Sequence, residues 1–388
     1  MTRCPRLHPA EEQTDRRSSP VRQTVPLLLT AFLGVLAAFS ASAQDWPSFR
    51  GDASLTGVST STLPADPELI WTYDTDGAIY GAAAIAGGTV FVGSLDHGLH
   101  AVGLEDGDFL WRYDAGEALT ASPTYADGVV YVGDELGTFH AVDAVTGEMK
   151  WTFETDGEIA SPANVAYGRV VFGSYDQFLY CLDVRDGSEI WRVETDNYVH
   201  AGPAIYDGAA YISGCDGFLR AVDLADGTEK QKISLGAYCI ASAAILDGRA
   251  YVGTYANQVL GIDLAAEAAV WDYTHPVRQF PFYASAAVTP EIVVVAGRDK
   301  IVHALHPGTG DALWTHNAGA KVDSSPVVVG DRAFFGTDGG VVRSVDLATG
   351  DTTWQYETGS AMAAPPAVAG GRLVIGSDSG TLYCFGGR

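Results

Sequence analysis

Basic and aromatic side chains cluster in one short stretch of a chain that is otherwise acidic, with a formal net charge of −25. Residues 274–283 read THPVRQFPFY and include His275, Arg278, Gln279, Phe280, Phe282 and Tyr283, and Arg298, Lys300 and Lys321 follow. Guanidinium and ammonium groups beside aromatic rings bind carboxylates and phosphates. This combination predicts a site for an anionic small molecule or an acidic peptide. The alternative is that these cations are solvated and balance nearby acids.

Whether these residues meet depends on the fold, and tryptophan spacing gives the first indication of it. Trp71, Trp111, Trp151 and Trp191 are each 40 residues apart, and Trp271, Trp314 and Trp354 follow at intervals of 80, 43 and 40. Gln231 stands where another tryptophan would fall. A fixed period of this size predicts a solenoid or a propeller. We expect the indoles to be packing anchors between neighbouring units.

Each period contains four short strands separated by turn signals. Between Trp111 and Trp151, an Asp127-Gly128 pair joins two strands, because Asp-Gly supplies the residues with positive φ that tight turns need. Four antiparallel strands per 40 residues is the content of one propeller blade. Eight units begin near residues 81, 121, 161, 202, 242, 285, 325 and 365, and the eighth lacks a fourth strand.

We therefore predict an all-β, eight-bladed propeller over residues 69–388. Residues 69–73 are expected to complete the last blade beside residues 381–385 and so close the ring, which removes the open edge. An open solenoid is the alternative. Residues 44–68 are expected to form an N-terminal lead-in segment, and residues 1–43 a signal peptide.

Turns alternate between the two faces of a propeller. The segment entering each blade should therefore share a face with the turn between that blade's second and third strands. This rule places Arg278, Arg298, Lys300 and Lys321 together over blades 6 and 7, beside the one interval between tryptophans that is lengthened by three residues. We expect the extra residues to fall within 274–283.

The same rule places Tyr198, His200 and Tyr238 on that face, where they are expected to line the central mouth or fill the ring centre. Cys215 and Cys239 should lie near each other, so a disulfide between them is possible. Cys181 and Cys384 occupy equivalent strand positions and are too far apart to pair.

Aspartates recur at equivalent turn positions: Asp96, Asp176, Asp216, Asp299, Asp338 and Asp378. We interpret them as turn caps. No Ser-His-Asp arrangement, zinc-spaced Cys/His cluster or phosphate loop stands out, so we predict neither catalytic residues nor metal ligands. Composition and motifs favour a binding protein, with a monomer as the expected state.

The N-terminal 43 residues resemble a secretory signal, with Arg16, Arg17 and Arg22 before an apolar run and Ala41-Ser42-Ala43 after it. Both the general and the twin-arginine export routes are open; the alternative is a retained anchor. Removing these residues leaves 18 basic against 45 acidic residues, a net charge of −27, which repels nucleic acid. We expect a periplasmic or extracellular protein with no transmembrane span in its mature chain.

The pattern Ala-x-Asp-x-x-Thr-Gly-x-x-x-Trp at residues 141–151 resembles the tryptophan-docking repeat of quinoprotein propellers, which in enzymes carry pyrroloquinoline quinone (PQQ). Variants occur at 181–191, 304–314 and 344–354, and Trp46-Pro-Ser-Phe-Arg-Gly-Asp52 is similar to the start of many bacterial PQQ-like repeat proteins. The resemblance covers residues 45–388 and is specific for fold, whereas one fold hosts many functions.

Two branches of this family imply different functions. Quinoprotein alcohol dehydrogenases are longer enzymes with PQQ, Ca²⁺, a catalytic Asp and adjacent cysteines, and this sequence has no Cys-Cys pair. BamB-type outer-membrane assembly factors are compact eight-bladed propellers that bind protein partners without chemistry. Size and export favour the second branch, although a lipid-anchor cysteine is absent at positions 43 and 44. We expect a scaffold without a cofactor, with a PQQ- and Ca²⁺-dependent oxidoreductase as the alternative.

Overall fold

The computed structural model describes residues 45–388, so the predicted signal peptide lies outside the described residues. This part of the chain forms 33 β-strands. Every blade is a four-stranded antiparallel sheet, and blade 7 carries one additional short strand. The predicted all-β, eight-bladed propeller is confirmed. No helix within residues 45–388 is long and apolar enough to span a membrane.

Strands of blades 1 to 4 follow one another along the chain. Blade 1 contains β3 (Ala84–Ala86), β4 (Thr89–Gly93), β5 (Gly98–Gly103) and β6 (Phe109–Asp114). Blade 2 contains β7 (Thr124–Ala126), β8 (Val129–Gly133), β9 (Thr138–Asp143) and β10 (Met149–Glu154). Blade 3 contains β11 (Asn164–Ala166), β12 (Arg169–Gly173), β13 (Phe178–Asp183) and β14 (Glu189–Glu194). Blade 4 contains β15 (Ala204–Tyr206), β16 (Ala209–Ser213), β17 (Phe218–Asp223) and β18 (Glu229–Ser234).

Blades 5 to 7 repeat this order. Blade 5 contains β19 (Ala244–Leu246), β20 (Arg249–Gly253), β21 (Val259–Asp263) and β22 (Ala268–Tyr273). Blade 6 contains β23 (Ala287–Val288), β24 (Val293–Ala296), β25 (Ile301–Leu305) and β26 (Ala312–Asn317). Blade 7 contains β27 (Val327–Val329), β28 (Arg332–Gly336), β29 (Val341–Asp346) and β30 (Thr352–Glu357), and the short β1 (Val58–Ser59) pairs with β27 in parallel.

Blade 8 takes its strands from both ends of the chain. Its inner strands are β31 (Ala367–Ala369), β32 (Arg372–Gly376) and β33 (Thr381–Gly386), and its outermost strand is β2 (Glu68–Asp74). β2 pairs antiparallel with β33, with Trp71 opposite Cys384. The predicted closure of the ring is therefore confirmed, and the open solenoid is excluded.

Tryptophans on the fourth strands dock on the following blades, as expected from the spacing. The indole N–H of Trp111 donates to the carbonyl oxygen of Ala144 at 3.1 Å. The same bond joins Trp71 to Leu104, Trp151 to Val184, Trp191 to Leu224, Trp271 to Pro307 and Trp314 to Leu347. Gln231 takes over this bond where the tryptophan is missing, because its Nε2 donates to the carbonyl of Leu264 at 2.8 Å.

Residues 46–59 cross the centre of the ring and contact the innermost strands of successive blades. Trp46 bridges Ile85 of blade 1. Carbonyl groups of this segment then accept N–H bonds from Tyr125, Ile205, Ile245, Val288 and Val328, in blades 2, 4, 5, 6 and 7. These residues occupy the same place in each first strand, whose free edge faces the ring axis. The segment therefore satisfies backbone groups that the blades alone would leave unpaired.

Candidate functional site

Connecting segments between blades share one face of the ring with the turns between second and third strands. In blade 1, the N–H of Leu95 donates to the carbonyl oxygen of Ala78 at 3.0 Å, and in blade 6 that of Arg298 donates to Pro281 at 3.5 Å. The equivalent bond occurs in all eight blades. We call this face the mouth face; its turns are residues 94–97, 134–137, 174–177, 214–217, 254–258, 297–300, 337–340 and 377–380.

Arg298 joins the two blades over which the cations were expected to gather. Its Nε and Nη2 donate to the two carboxylate oxygens of Asp323 at 2.9 and 2.8 Å. Its guanidinium carbon lies 3.8 Å from the ring centre of Tyr283, a cation–π contact. The hydrogen bonds to Asp323 raise the pKa of Arg298. Arg298 therefore stays charged, and Asp323 neutralises that charge locally.

The other predicted cations differ in their partners. Lys321 Nζ forms an ion pair with Asp338 at 2.7 Å. Arg278 Nη1 donates to the backbone carbonyl of Asp299 at 2.9 Å. Among the ion pairs of residues 45–388, none involves Arg278 or Lys300. All four cations belong to connecting segments or turns of blades 6 and 7, and within residues 45–388 Arg278 and Lys300 have no carboxylate partner.

The lengthened connecting segment runs from the end of β22 to the start of β23, so the three additional residues fall before the first strand of blade 6. His275 Nδ1 accepts the backbone N–H of Arg278 at 2.9 Å and so folds the segment back. Gln279 and Phe280 are exposed. Phe282, by contrast, is 2% exposed and packs edge-on against His303.

Phe282 is therefore a core residue rather than part of an exposed site. Its repeat position holds a buried apolar residue in every blade: Ile79, Leu119, Ile159, Val199, Cys239, Phe282, Val322 and Met362. In six blades the second strand ends in glycine, and this side chain packs on that glycine, as Leu119 does on Gly93. The apolar residues at this repeat position already indicated in the sequence that Phe282 is buried.

The next position in the repeat lines the central mouth. Its eight residues are Tyr80, Thr120, Ala160, His200, Ile240, Tyr283, Asp323 and Ala363, and all of them line one central cavity of about 160 Å³. Phe49 of the N-terminal segment also lines this cavity. His200 therefore lines this cavity. Tyr198 and Tyr238 instead lie outside it on the mouth face, 49% and 59% exposed.

His200 is held in place by an aromatic neighbour. The hydroxyl of Tyr175 lies 2.7 Å from His200 Nδ1, and the ring of Tyr175 stacks on Tyr198 with a centroid distance of 5.0 Å. Burial lowers the pKa of His200 and raises the pKa of Tyr175 to about 12. Both groups are therefore neutral near pH 7, and the hydrogen bond leaves Nε2 as the polar atom that His200 offers to the cavity.

Serine hydroxyls form the layer below these side chains. Ser122, Ser242, Ser285 and Ser325 line the cavity. Each accepts a backbone N–H from the preceding blade; the bond from Ala82 to Ser122 measures 2.8 Å and that from Ser285 to Ser325 measures 2.9 Å. These bonds tie neighbouring blades together at the axis and fix the shape of the cavity wall.

Cys215 and Cys239 lie close together as free thiols. Cys215 Sγ lies 3.7 Å from the carbonyl oxygen of Cys239, while Cys239 Sγ points toward Ala237. The two sulfur atoms therefore have separate backbone partners. Cys181 and Cys384 are buried in β13 and β33.

The repeated aspartates mostly cap turns, as interpreted from sequence. Carboxylates of Asp96, Asp176, Asp216 and Asp299 each accept the N–H two residues later, at 2.8 to 3.1 Å. Asp338 pairs with Lys321 instead. Across residues 45–388, no group of three or more His, Cys, Asp or Glu side chains is arranged to hold a metal ion.

Sequence reasoning missed several residues of the central cavity: Phe49, Tyr80, Thr120 and Asp323. Three of them share the repeat position of His200 and Tyr283, so aligning the repeats on that position would have found them. Phe49 gives no such signal, since the segment that carries it lies outside the repeat.

Comparison with known proteins agrees with this architecture. The family model described as outer membrane protein assembly factor BamB matches residues 56–167, 158–280 and 338–388. A search of curated protein sequences found no significant match.

Solved structures with the same fold include a designed protein, an assembly factor and an enzyme. The computationally designed Ika8 protein shares 18% identity with a TM-score of 0.73, covering 82% of this chain and 99% of its own. BamB from Moraxella catarrhalis shares 20% identity with a TM-score of 0.71, covering 83% and 100%. Quinohemoprotein alcohol dehydrogenase from Comamonas testosteroni shares 14% identity with a TM-score of 0.73, covering 88% and 80%. At these identities the likeness shows the fold.

Proposed function

Since the chain belongs to the family of the outer membrane protein assembly factor BamB, we propose that it is an exported, non-catalytic scaffold of the cell envelope. It binds a protein partner on its mouth face, in the periplasm or outside the cell, after residues 1–43 are removed. The observation that carries this proposal is a group of exposed aromatic side chains over blades 4 to 6, beside two cations that lack carboxylate partners.

The aromatic group consists of Tyr198, Tyr238, Tyr255 and Phe280, which are 49%, 59%, 39% and 50% exposed. All four belong to connecting segments or turns of the mouth face. Tyrosine and phenylalanine are enriched at protein interfaces, where they bury much area with few rotatable bonds. This group therefore supports a docking surface for a protein.

The charges beside the aromatic group indicate what kind of partner segment binds there. Arg278 and Lys300 lie at the blade 6 edge of the aromatic group, on a chain whose mature charge is −27. Such a surface repels acidic proteins except where cations are unpaired, so complementary charge selects orientation as well as partner. We propose that an acidic segment of the partner lies on Arg278 and Lys300.

The alternative function is a PQQ-dependent oxidoreductase, suggested by the fold shared with the quinohemoprotein enzyme. PQQ is a tricyclic quinone with three carboxylates. The central cavity, at about 160 Å³, is close to the roughly 150 Å³ that encloses benzene. Its lining includes the carboxylate of Asp323 but no lysine or arginine. Neither the size nor the charge of this cavity fits PQQ.

Photo-crosslinking tests the protein-binding proposal directly. A photoreactive phenylalanine analogue is placed at Tyr238 or Phe280, the variant is produced in the source cells, and the envelope fraction is irradiated. We expect the same discrete adduct from both positions, identified by mass spectrometry. Adding Arg278→Glu and Lys300→Glu should reduce its yield by at least about tenfold, because opposite charges become like charges.

The matched control is Tyr167, which is 75% exposed but lies in the turn between the first and second strands of blade 3, on the opposite face. The same analogue at Tyr167 should give no adduct with that partner. A partner captured equally well from Tyr167, or no discrete adduct from either mouth-face position, would reject the proposal.

A further inference from the structure

We propose that the central cavity of the mouth face binds one neutral pyranose ring, either a free sugar or the terminal residue of a longer glycan. The cavity adjoins the aromatic docking group, and its binding of a sugar does not depend on a protein partner. It rests on the size of the cavity, on the polar groups that converge in it and on their charge.

Size limits the occupant to a single ring. The cavity measures about 160 Å³, comparable with an engineered cavity of roughly 150 Å³ that encloses one benzene molecule. Phe49 lines it from the N-terminal segment, and the eight blades enclose it laterally. A ligand can therefore enter from the mouth face with one ring inside and any further chain outside.

One wall offers a rigid aromatic surface beside a planar charged pair. Tyr283 contacts Tyr255, at a centroid distance of 4.8 Å, and the guanidinium of Arg298, at 3.8 Å. Arg298 in turn holds both oxygens of Asp323. Each of these oxygens keeps a second lone pair that can accept a ligand hydroxyl. Tyr80, 41% exposed, supplies another aromatic side chain at the mouth.

Polar atoms with spare capacity lie around the rest of the cavity. Thr120 lines the cavity through other atoms, because its Oγ1 is buried away from the open space. His200 offers Nε2, since its Nδ1 is engaged by Tyr175. Polar groups of His200 and Asp323 thus line the cavity from blades 4 and 7.

The charges of the lining cancel. Asp323 is the one acid among the residues that line the cavity, and Arg298, which lies behind it outside the lining, neutralises it. An anion would meet the Asp323 carboxylate, and a cation would compete with Arg298 for that carboxylate. A neutral molecule with many hydroxyls and an apolar ring face fits this combination, and a pyranose has both.

Calorimetric titration and saturation-transfer NMR with the purified protein test the inference. The probes are glucose, galactose, N-acetylglucosamine and glucuronate, together with an oligosaccharide ending in whichever neutral sugar binds. A ligand of this size should bind with a Kd of about 1 mM. Tighter binding of the oligosaccharide would identify a glycan terminus as the ligand, whereas equal binding would identify the free sugar.

Ala160→Leu fills the cavity from the blade 3 position of the ring and should weaken binding at least tenfold. The matched control is Ala225→Leu, in the exposed turn between β17 and β18, which should leave the Kd unchanged. Circular dichroism of each variant checks the fold.

Three results would overturn the inference. They are an absence of binding by every neutral sugar at about ten times the expected Kd, binding that Ala160→Leu leaves intact, and preferential binding of glucuronate. Loss of sugar binding in Ala160→Leu with retained photo-crosslinking at Tyr238 would show that the cavity and the docking surface act separately.

Discussion

The environment of His200 makes the stability of the folded protein depend on pH. Burial lowers its pKa, and its Nδ1 lies 2.7 Å from the Tyr175 hydroxyl. In the unfolded chain a histidine binds a proton near pH ~6.5. Below that pH the unfolded state therefore holds more protons at this site than the folded state does. The lowered pKa of His200 therefore makes the protein less stable as the pH falls below about 6.5.

Replacing His200 should flatten this part of the stability profile. In His200→Gln, we expect the fall in unfolding free energy between pH 7 and pH 5 to be shallower than in the parent protein, by at most about 1.4 kcal/mol per pH unit. Urea unfolding at several pH values measures it. Thr120→Val, at the same repeat position in blade 2, removes no titrating group and should leave the slope unchanged. An identical slope in His200→Gln would contradict the assignment.

At the scale of the elements, the joint between neighbouring blades depends on a tryptophan and a glycine. Gly107 has a φ of 73°, and a Cβ there would lie 2.7 Å from Cδ2 of Trp71. Glycine is needed here for two reasons: it adopts the left-handed conformation without strain, and it has no Cβ to clash with the indole. Opposite Gln231 the equivalent position is Glu267, with a φ of 53°. The smaller side chain of Gln231 leaves room for the Cβ of Glu267.

This pairing predicts strong coupling between positions 231 and 267. Gln231→Trp alone should destabilise the protein by about 1–3 kcal/mol, because the indole meets the Cβ of Glu267. Adding Glu267→Gly should recover that loss and relieve the left-handed strain, giving a coupling energy of about 1–2 kcal/mol in a double-mutant cycle. Urea unfolding of the four proteins measures it. Additive effects of the two substitutions would show that the joint does not require this pair.

The repeat made most elements readable from sequence, and its limits explain what was missed. Tryptophan at period 40 and apolar alternation at period 2 together fix the blades, their closing strand and the face on which each turn lies. Segment 46–59 has no such signal, because it binds the blades through carbonyl oxygens that every residue type carries. The pairing of Arg298 with Asp323 was missed because the rule gives the face on which a residue lies but not which carboxylate a guanidinium contacts.

At the scale of the whole molecule, the ring is held shut by pairing between its two ends. Asp74 in β2 lies opposite Thr381 in β33, and the Thr381 hydroxyl donates to the Asp74 carboxylate at 2.7 Å. Opening this pair would release the outermost strand of blade 8 and the bond from Trp71 to blade 1. The ends of the chain are therefore part of the core structure, and the ring should unfold as a cooperative unit.

A covalent link between the two ends should raise stability more than the same link inside one blade. The double substitution Asp74→Cys and Thr381→Cys closes nearly the whole ring, whereas Thr138→Cys and Glu154→Cys join equivalent paired positions within blade 2. From loop-closure entropy, a disulfide that closes a loop of roughly 15 residues stabilises the fold by about 3 kcal/mol. One that closes a loop of more than roughly 100 residues stabilises it by more than about 4.7 kcal/mol. We expect the end-to-end link to add about 2 kcal/mol over the link within the blade. Urea midpoints with and without reductant measure both, and equal gains would mean that the ends separate before the blades unfold.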